Sequence, residues 1–410
     1  MRPSRHHRGF SLIELLVGTA VGMLVLTGIG LVFVSQAHQY QAHASRRAVQ
    51  ASVRQALGFV ERHVRNAGYG VDADRALLAY DSYDAATNGR GDGFPDGLTT
   101  HARALGFRRA VEAVSSNTLR FTQPLTQPLH KGQILLVLCP GAHTYAYVTL
   151  GATAQAGSAN VQLDTTPAAE DSPVSAPGQL FREQDRLADR CFHDGEPPVA
   201  VKVDRASFYV ASFDDDGDPA TPATTPYLML HRGLDIDGDG RINAADATPV
   251  AVGVEQLQVA YILNTLDDSE PLLAGVNDVV PWGETWHLGL PETSRPQLKD
   301  AYRSARRLTR HPANIRQVRL TLVARSSQPD REREGDDALD PSAPWTQGPT
   351  LPSGATAWRQ LENLGLGNTP LAPAFDPRGG GYSRAVLRSS VAPKNLLMRS
   401  QFIPINPGGG

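Results

Sequence analysis

The chain contains little cysteine and no strong excess of charge of either sign. Only two cysteines occur among its 410 residues, which is too few for a disulfide framework or for a zinc site with four cysteine ligands. The formal net charge is −3. The chain as a whole therefore has no electrostatic field that would attract nucleic acid or an anionic membrane.

Sequence signatures of catalysis are also missing. The chain has no Gly-rich phosphate loop, no HExxH motif of zinc proteases and no GxSxG motif around a nucleophilic serine. We therefore expect no small-molecule substrate, and the sequence favours a structural or binding role over an enzyme.

Glycine and proline, by contrast, are plentiful. The chain has 38 glycines and 30 prolines, about a sixth of all residues against an average of roughly 12%. This composition favours a β-rich body with many loops over a helical bundle.

The longest apolar run, residues 10–34, follows a short basic leader, residues 1–9. As a helix this run would reach about 37 Å, enough to cross a hydrocarbon core of about 30 Å. Basic residues before a span hold the N-terminus in the cytoplasm, and no small-residue cleavage site of a secretory signal follows the run. The sequence predicts a single-pass inner-membrane protein whose remaining residues are periplasmic.

Glu14 is the one charged residue inside the apolar run. A charged side chain in a spanning helix costs on the order of 3 kcal/mol and is a functional hypothesis by default. One interpretation is that Glu14 lies near the cytoplasmic interface and reaches out of the membrane. The other is that cleavage between Gly9 and Phe10 frees an amine at Phe10, which neutralises Glu14 of a staggered neighbouring subunit at low dielectric constant.

The segment from Arg8 to Leu16, RGFSLIELL, resembles the leader motif of type IV prepilins. The resemblance implies cleavage after Gly9 by a prepilin peptidase and N-methylation of Phe10. It also implies that the retained helix anchors the subunit, that Glu14 sets the register of assembly, and that the helix packs in the core of a filament.

The helix is predicted to continue beyond the membrane over residues 35–68. Residues 36–66 contain no proline, and apolar residues recur at spacings of three and four, as on one face of a helix. Gly68 and Gly70 then provide a stop. The residues of the predicted apolar stripe are Val49, Val53, Leu57, Val60 and Val64.

Residues 69–410 are predicted to form an antiparallel β-rich head with long loops. Short β-prone segments alternate with Gly, Pro and Asp clusters, and neither a repeat nor a βαβ pattern is visible. The fold class is therefore α+β, with a long N-terminal helix whose first half is transmembrane and whose amphipathic second half packs on the head. The predicted strands are Leu119–Thr122, Ile134–Cys139, Tyr145–Leu150, Ala206–Ser212, Tyr227–His231, Leu257–Leu263 and Val318–Arg325.

Two late segments, Val252–Tyr261 and Asn314–Arg325, are similar to strands of PilW-like minor pilins. The resemblance implies a low-abundance pilin that initiates or caps a type IV pilus and supports twitching motility, located in the inner membrane and then at the pilus or cell surface. It implies other minor and major pilins, the prepilin peptidase and an inner-membrane assembly platform as partners. Two alternatives remain open: a type II secretion pseudopilin similar to GspJ or GspK, and a pilus-displayed receptor for cell adhesion or for DNA.

Residues 235–246, DIDGDGRINAAD, match the ligand pattern of a calcium-binding EF-hand loop. Gly240 stands at the turn position, and the last ligand position holds Asp in place of the usual Glu, which resembles dockerin-type loops. We expect a structural Ca²⁺ site, with an acidic solvated turn as the alternative. The predicted ligands are Asp235, Asp237, Asp239, Arg241 through its carbonyl group, Asn243 and Asp246.

The two cysteines, Cys139 and Cys191, are both predicted on the oxidising side of the membrane. Either they form a disulfide or they remain as two unpaired thiols.

A basic cluster between Arg303 and His311 could contact DNA phosphates. No aromatic residues are interleaved with it to support base stacking, so DNA remains an unsupported partner.

Overall fold

The structure is a computed structural model of the full chain. The residues that it describes are 11–81, 83–85, 89–90, 95–115, 117–141, 144–166, 172–175, 178–185, 187, 191, 197–213, 225–263, 272–275, 312–326 and 384–397.

A single helix of 55 residues, α1 (Leu12–Asn66), forms the N-terminal part of the chain. Its segment Leu12–Ala37 has a mean hydropathy of 2.3 and is long and apolar enough to cross a membrane. None of that segment is buried by the rest of the chain. Its apolar side chains are therefore available for contact with lipid or with other helices.

The last third of α1 is buried along one face. Val53, Val60 and Val64 are fully buried, and Val49 and Leu57 are nearly so. These are the residues of the apolar stripe expected from the sequence, so that expectation is confirmed. Burying each such side chain stabilises the packed helix by roughly 1.5–3 kcal/mol.

The helix α1 ends where the sequence places glycine. Gly68 has φ of +79°, and its N–H donates to the carbonyl of His101 at 2.9 Å. The Nδ2 atom of Asn395 donates to the carbonyls of Asn66 and Ala67 at 3.1 and 3.2 Å. Asn395, near the end of the described residues, thus satisfies free carbonyls at the C-terminus of α1.

The rest of the described chain contains fifteen strands, two short α-helices and three single-turn 3₁₀ helices. The α-helices are α2 (Ala73–Ala76) and α3 (Lys394–Leu397). The strands are β1 (Leu77–Tyr80), β2 (Tyr83–Asp84), β3 (Gly89–Arg90), β4 (Gly97–Val114), β5 (Thr118–Phe121), β6 (Ile134–Cys139), β7 (Thr144–Thr149), β8 (Asn160–Gln162), β9 (Val199–Phe213), β10 (Thr225–His231), β11 (Thr248–Val252), β12 (Val254–Leu263), β13 (Leu272–Gly275), β14 (Ile315–Arg325) and β15 (Arg384–Val391).

These strands form two sheets and a two-stranded hairpin, β2–β3, and all strand pairs are antiparallel. The larger sheet has nine strands, with the path β11-β10-β9-β4-β5-β8, and β1, β6 and β7 lie off this path. The smaller sheet has the order β13-β12-β14-β15. The α+β class with a long N-terminal helix is confirmed. Each of the seven strands expected from the sequence is found, six of them within three residues of the predicted bounds, whereas β9 begins seven residues before the predicted Ala206.

The buried face of α1 packs in a core that both sheets line. One hydrophobic cluster joins the stripe on α1 to Phe208 of β9, Leu228 of β10 and Leu257 of β12. The same cluster includes Leu320 of β14. Two further clusters lie among the strands from β1 to β10 and the segments that connect them, and the disulfide of the chain is in one of these.

Candidate functional site

The N-terminus of α1 is capped by its own side chains. Ser11 Oγ accepts a hydrogen bond from the N–H of Ile13 at 3.2 Å, and Glu14 Oε2 accepts one from the N–H of Ser11 at 3.1 Å. This reciprocal arrangement is close to a capping box. The carboxylate of Glu14 therefore has a local role in starting the helix, which was not foreseen from the sequence. Gly9 and Phe10, the predicted cleavage and methylation residues, lie outside the described residues.

The acidic loop Asp235–Asp246 follows β10. Carboxylate oxygens of Asp235, Asp237 and Asp239 all lie within 4.8 Å of one another. Asp235 is buried, whereas Asp237 and Asp239 are exposed. Three carboxylates at this separation repel one another, and oxygen ligands from Asp are those that Ca²⁺ prefers.

The fold of this loop rests on hydrogen bonds from its own backbone. The N–H groups of Gly238 and Gly240 donate to the two carboxylate oxygens of Asp235 at 2.8 and 3.0 Å. The N–H groups of Asp239 and Arg241 donate to Asp237 Oδ1 and Asp239 Oδ1 at 3.0 and 2.6 Å. The three predicted aspartate ligands are thereby held in position by the loop itself.

The remaining predicted ligands are placed differently. The carboxylate of Asp246 is buried and accepts hydrogen bonds from the N–H of Ile236 at 2.7 Å and of Asn243 at 3.0 Å. Asn243 Oδ1 accepts from the N–H of Ala245 at 2.8 Å. Asp246 thus closes the loop through backbone contacts, and it is not part of the cluster of three carboxylates.

The acidic loop packs against a turn more than a hundred residues earlier in the chain. Lys131 Nζ donates to the carbonyl of Gly240 at 2.6 Å, and His130 Nδ1 lies 3.2 Å from the carbonyl oxygen of Asp235. The N–H of Asp235 donates to the carbonyl of Lys131 at 3.1 Å. No short-range sequence signal connects these residues to the loop.

A buried histidine supports the loop from β10. His231 Nε2 lies 2.7 Å from the carbonyl oxygen of Asn243, and its Nδ1 accepts a hydrogen bond from the N–H of Gly233 at 2.8 Å. Burial, together with the charge of Arg205, lowers the pKa of His231 to about 4. The ring is therefore neutral at physiological pH, with Nε2–H as the donor to Asn243.

Cys139 and Cys191 are joined by a disulfide, with their Cα atoms 5.0 Å apart. Cys139 is the last residue of β6, and both cysteines are buried in one of the two smaller hydrophobic clusters. The bond closes a loop with a sequence separation of 52 residues.

A polar cluster surrounds α2, where the chain leaves the long helix. The guanidinium of Arg75 pairs with the carboxylate of Glu183 at 2.6 Å and lies 4.3 Å from the ring centroid of Tyr147. Burial raises the pKa of Asp74 to about 6 and lowers that of the fully buried His101 to about 3. The residues of this polar cluster come from distant parts of the chain, so the sequence alone does not reveal the cluster.

Two protein families match the chain, one at its N-terminus and one in its second half. Residues 4–30 match the prokaryotic N-terminal methylation motif, and residues 208–395 match PilW, the type IV pilus-assembly protein W. The first match covers the start of α1, and the second runs from β9 to α3. The chain is a type IV prepilin-like, PilW-like protein.

No curated protein and no solved structure gave a match to the chain. The two family matches and the apolar segment of α1 identify a membrane-anchored pilin-like protein associated with type IV pili. The PilW match covers most strands of the hydrophobic cluster that includes the buried face of α1, whereas most of the larger sheet precedes the match in the sequence.

Proposed function

We propose that this PilW-like protein is a non-catalytic minor pilin that takes part in type IV pilus assembly, in the complex that initiates the pilus or lies at its tip. The observation that carries the proposal is the combination of an N-terminal methylation motif, one membrane-spanning segment and a PilW match in the same chain. The head is large for a subunit repeated at every position of a thin fibre, which favours a minor subunit.

In this proposal the prepilin peptidase cleaves between Gly9 and Phe10, and Phe10 is N-methylated. The amine of Phe10 and the carboxylate of Glu14 on a neighbouring subunit then pair within the membrane, where the low dielectric constant makes an unpaired charge costly. The hydrogen bond from Ser11 to Glu14 holds the carboxylate at the N-terminus of α1. Mass spectrometry of the membrane form tests this step: N-methylated Phe10 is expected, and mature chains that retain Met1 contradict it.

The same proposal sets the orientation. The basic leader keeps the N-terminus in the cytoplasm, and the head lies in the periplasm until assembly carries it to the pilus and the cell surface. The partners are other minor and major pilins and the inner-membrane assembly platform. The disulfide between Cys139 and Cys191 is consistent with an oxidising compartment for the head.

We further propose that the acidic loop binds one structural Ca²⁺ ion. Asp235, Asp237 and Asp239 supply carboxylate oxygens within 4.8 Å of one another, and Arg241 supplies its carbonyl. Extracellular calcium is sufficient for a site with a Kd of about 10⁻⁴–10⁻³ M. Calorimetry of the full chain in detergent should show calcium binding that Asp235→Ala and Asp239→Ala abolish, whereas Asp164→Ala should leave it intact. Heat that persists in both loop variants excludes this site.

A clean deletion strain tests the assembly role, scored together for surface pili, twitching motility and secreted enzyme activity. Loss of pili with normal secretion supports the proposal. Loss of secretion with normal pili indicates a type II secretion pseudopilin instead. If both remain normal, binding of glycans or DNA by the displayed head becomes the alternative to test.

A further inference from the structure

The part of α1 that packs on the head presents a basic stripe to its outer side. Arg54, Arg62 and Arg65 project from this stripe. Gly58 lies between Arg54 and Arg62 in the sequence, and Ala51 precedes all three arginines. At 100° per residue these five positions fall within an arc of about 80°, on the side of the helix opposite Val53, Val60 and Val64. All five residues of the stripe are exposed.

The arginines of the stripe are little neutralised by the described residues. Arg65 Nη2 lies 3.9 Å from Glu61 Oε2, with 54% of the Arg65 side chain exposed, so this pair is weak. The guanidinium of Arg62 lies 5.5 Å from the ring centroid of Phe59, which leaves its charge uncompensated. Within the part of the chain that the structure describes, Arg54 has no ion-pair partner.

Gly58 is unusual in this setting because it lies in the interior of a helix. A Cβ atom at Gly58 would have nothing within 4 Å, so no contact among the described residues requires glycine there. Glycine in place of alanine lowers the folding equilibrium constant of an exposed helix about fivefold. A missing side chain between two arginines does, however, allow the backbone of another helix to approach closely.

We propose that this basic stripe is a docking surface for an acidic helix of a different pilin subunit, with the partner helix crossing at Gly58. Arg54 and Arg62 are eight residues apart, or about 12 Å along the helix axis. They fit carboxylates seven or eight residues apart on the partner. A second copy of this chain does not fit, because its own stripe would oppose arginine with arginine. The inference rests on the proposed function and makes it more specific, because it requires a heterotypic neighbour.

Two alternatives are less consistent with these observations. DNA would also be attracted by three arginines, but phosphate contacts do not require a glycine between them. A solvated helix face would not require it either. The close approach at Gly58 therefore distinguishes a packed helix from a purely electrostatic contact.

A photo-cross-linking residue at Ala51 of the full-length chain, expressed in the producing cells, tests the proposal. Mass spectrometry should identify the linked residue in the N-terminal helix of another prepilin-class subunit, within one helical turn of an Asp or Glu. Arg54→Glu combined with Arg62→Glu should reduce this product at least tenfold. The matched control Arg108→Glu, which reverses an exposed arginine of β4, should leave it unchanged.

Gly58→Ala provides the sharper test, because it separates folding from docking. The added methyl group lies in open space and should raise the thermal midpoint of the full chain in detergent, yet it should lower cross-linking severalfold. A raised midpoint with unchanged cross-linking refutes the close approach. Cross-links to a second copy of the chain, to DNA or to no macromolecule overturn the whole proposal.

The outcome is separable from that of the proposed function. If the deletion strain keeps its pili but the cross-link forms as described, the docking surface stands and the role in pilus initiation is wrong. If pili are lost but the cross-link joins two copies of this chain, the role stands and the heterotypic docking is wrong.

Discussion

Gly132 controls how the acidic loop packs on the head, and its replacement is the most direct test of that arrangement. Gly132 lies in the turn before β6 with φ of +86°. A Cβ atom there would overlap the carbonyl oxygen of Gly233 and lie 2.5 Å from Ile242 Cδ1. Ile242 belongs to the loop and Gly233 precedes it by two residues, so alanine at position 132 should push the loop away from the turn.

The expected magnitude has two parts. A positive φ costs any residue with a Cβ about 1–2 kcal/mol, and overlap with a packed backbone adds about 1–3 kcal/mol. Gly132→Ala should therefore destabilise the head by about 2–5 kcal/mol. Gly157 is the matched control, because its φ is +89° and a Cβ there would have nothing within 4 Å. Gly157→Ala should lose about 1–2 kcal/mol only.

Urea denaturation of the full chain in detergent, followed by circular dichroism, measures both losses. Calorimetric titration with calcium measures the second consequence. Gly132→Ala should weaken calcium binding because Lys131 and His130 lose their contacts with the loop, whereas Gly157→Ala should leave it unchanged. Equal destabilisation by the two variants would refute the steric argument, and unchanged calcium binding by Gly132→Ala would refute the coupling between turn and loop.

Three further predictions concern other parts of the head. Burial raises the pKa of Asp74 from 3.8 to about 6. The stability that the protonated carboxyl group contributes is therefore fully present below pH 4, and roughly 3 kcal/mol of it is lost as the pH rises through 6. Urea midpoints should show that Asp74→Asn stabilises the chain at pH 7 but not at pH 4, unlike the exposed control Glu112→Gln. Replacing Cys139 and Cys191 by serine should destabilise the oxidised protein by about 2–4 kcal/mol. Under reducing conditions the wild type and the serine variant should have similar free energies of unfolding. The carboxylate of Glu255 is buried between the guanidiniums of two arginines. Glu255→Gln should therefore lower the free energy of unfolding by about 3–5 kcal/mol, and a decrease below 1 kcal/mol in the same assay contradicts this account.

The features best predicted from the sequence are those that depend on local periodicity. The stripe from Val49 to Val64 has helical spacing without interruption, and the structure buries all of it. The strands β12 and β14 are rich in apolar and β-branched residues, and they pair over most of their length. Both signals arise within sixteen consecutive residues or fewer, so a single sequence is sufficient to read them.

The strand β4 shows why other features were missed. It is 18 residues long, yet it reads as a polar, glycine-containing segment and was not predicted. Its pairing with β9 is interrupted between Arg103 and Arg108, where a bulge exposes Leu105 and places Gly106 at φ of +96°. A bulge of this kind shifts the alternation of inward and outward residues, so the period of two is lost although the strand continues on both sides.

The acidic loop illustrates a different limit. Its own spacing predicts the cluster of Asp235, Asp237 and Asp239, and the structure brings these three carboxylates together. The spacing does not predict that Asp246 caps the loop backbone or that Lys131 contacts it from 109 residues away. Long-range contacts such as these are set by the pairing of distant strands, about which a local motif carries no information.

The boundary of the family match has a structural meaning. The PilW match begins at residue 208, in the interior of β9. Within the larger sheet, β9 pairs with β4 and β6, which precede the match, and with β10, which lies inside it. The ladder with β4 extends to Phe208, inside the match, and the ladder with β10 extends back to Ser207, before the match, so the boundary interrupts both ladders. The boundary of the match therefore lies inside one continuous strand, and the strands before residue 208 do not form a separable domain.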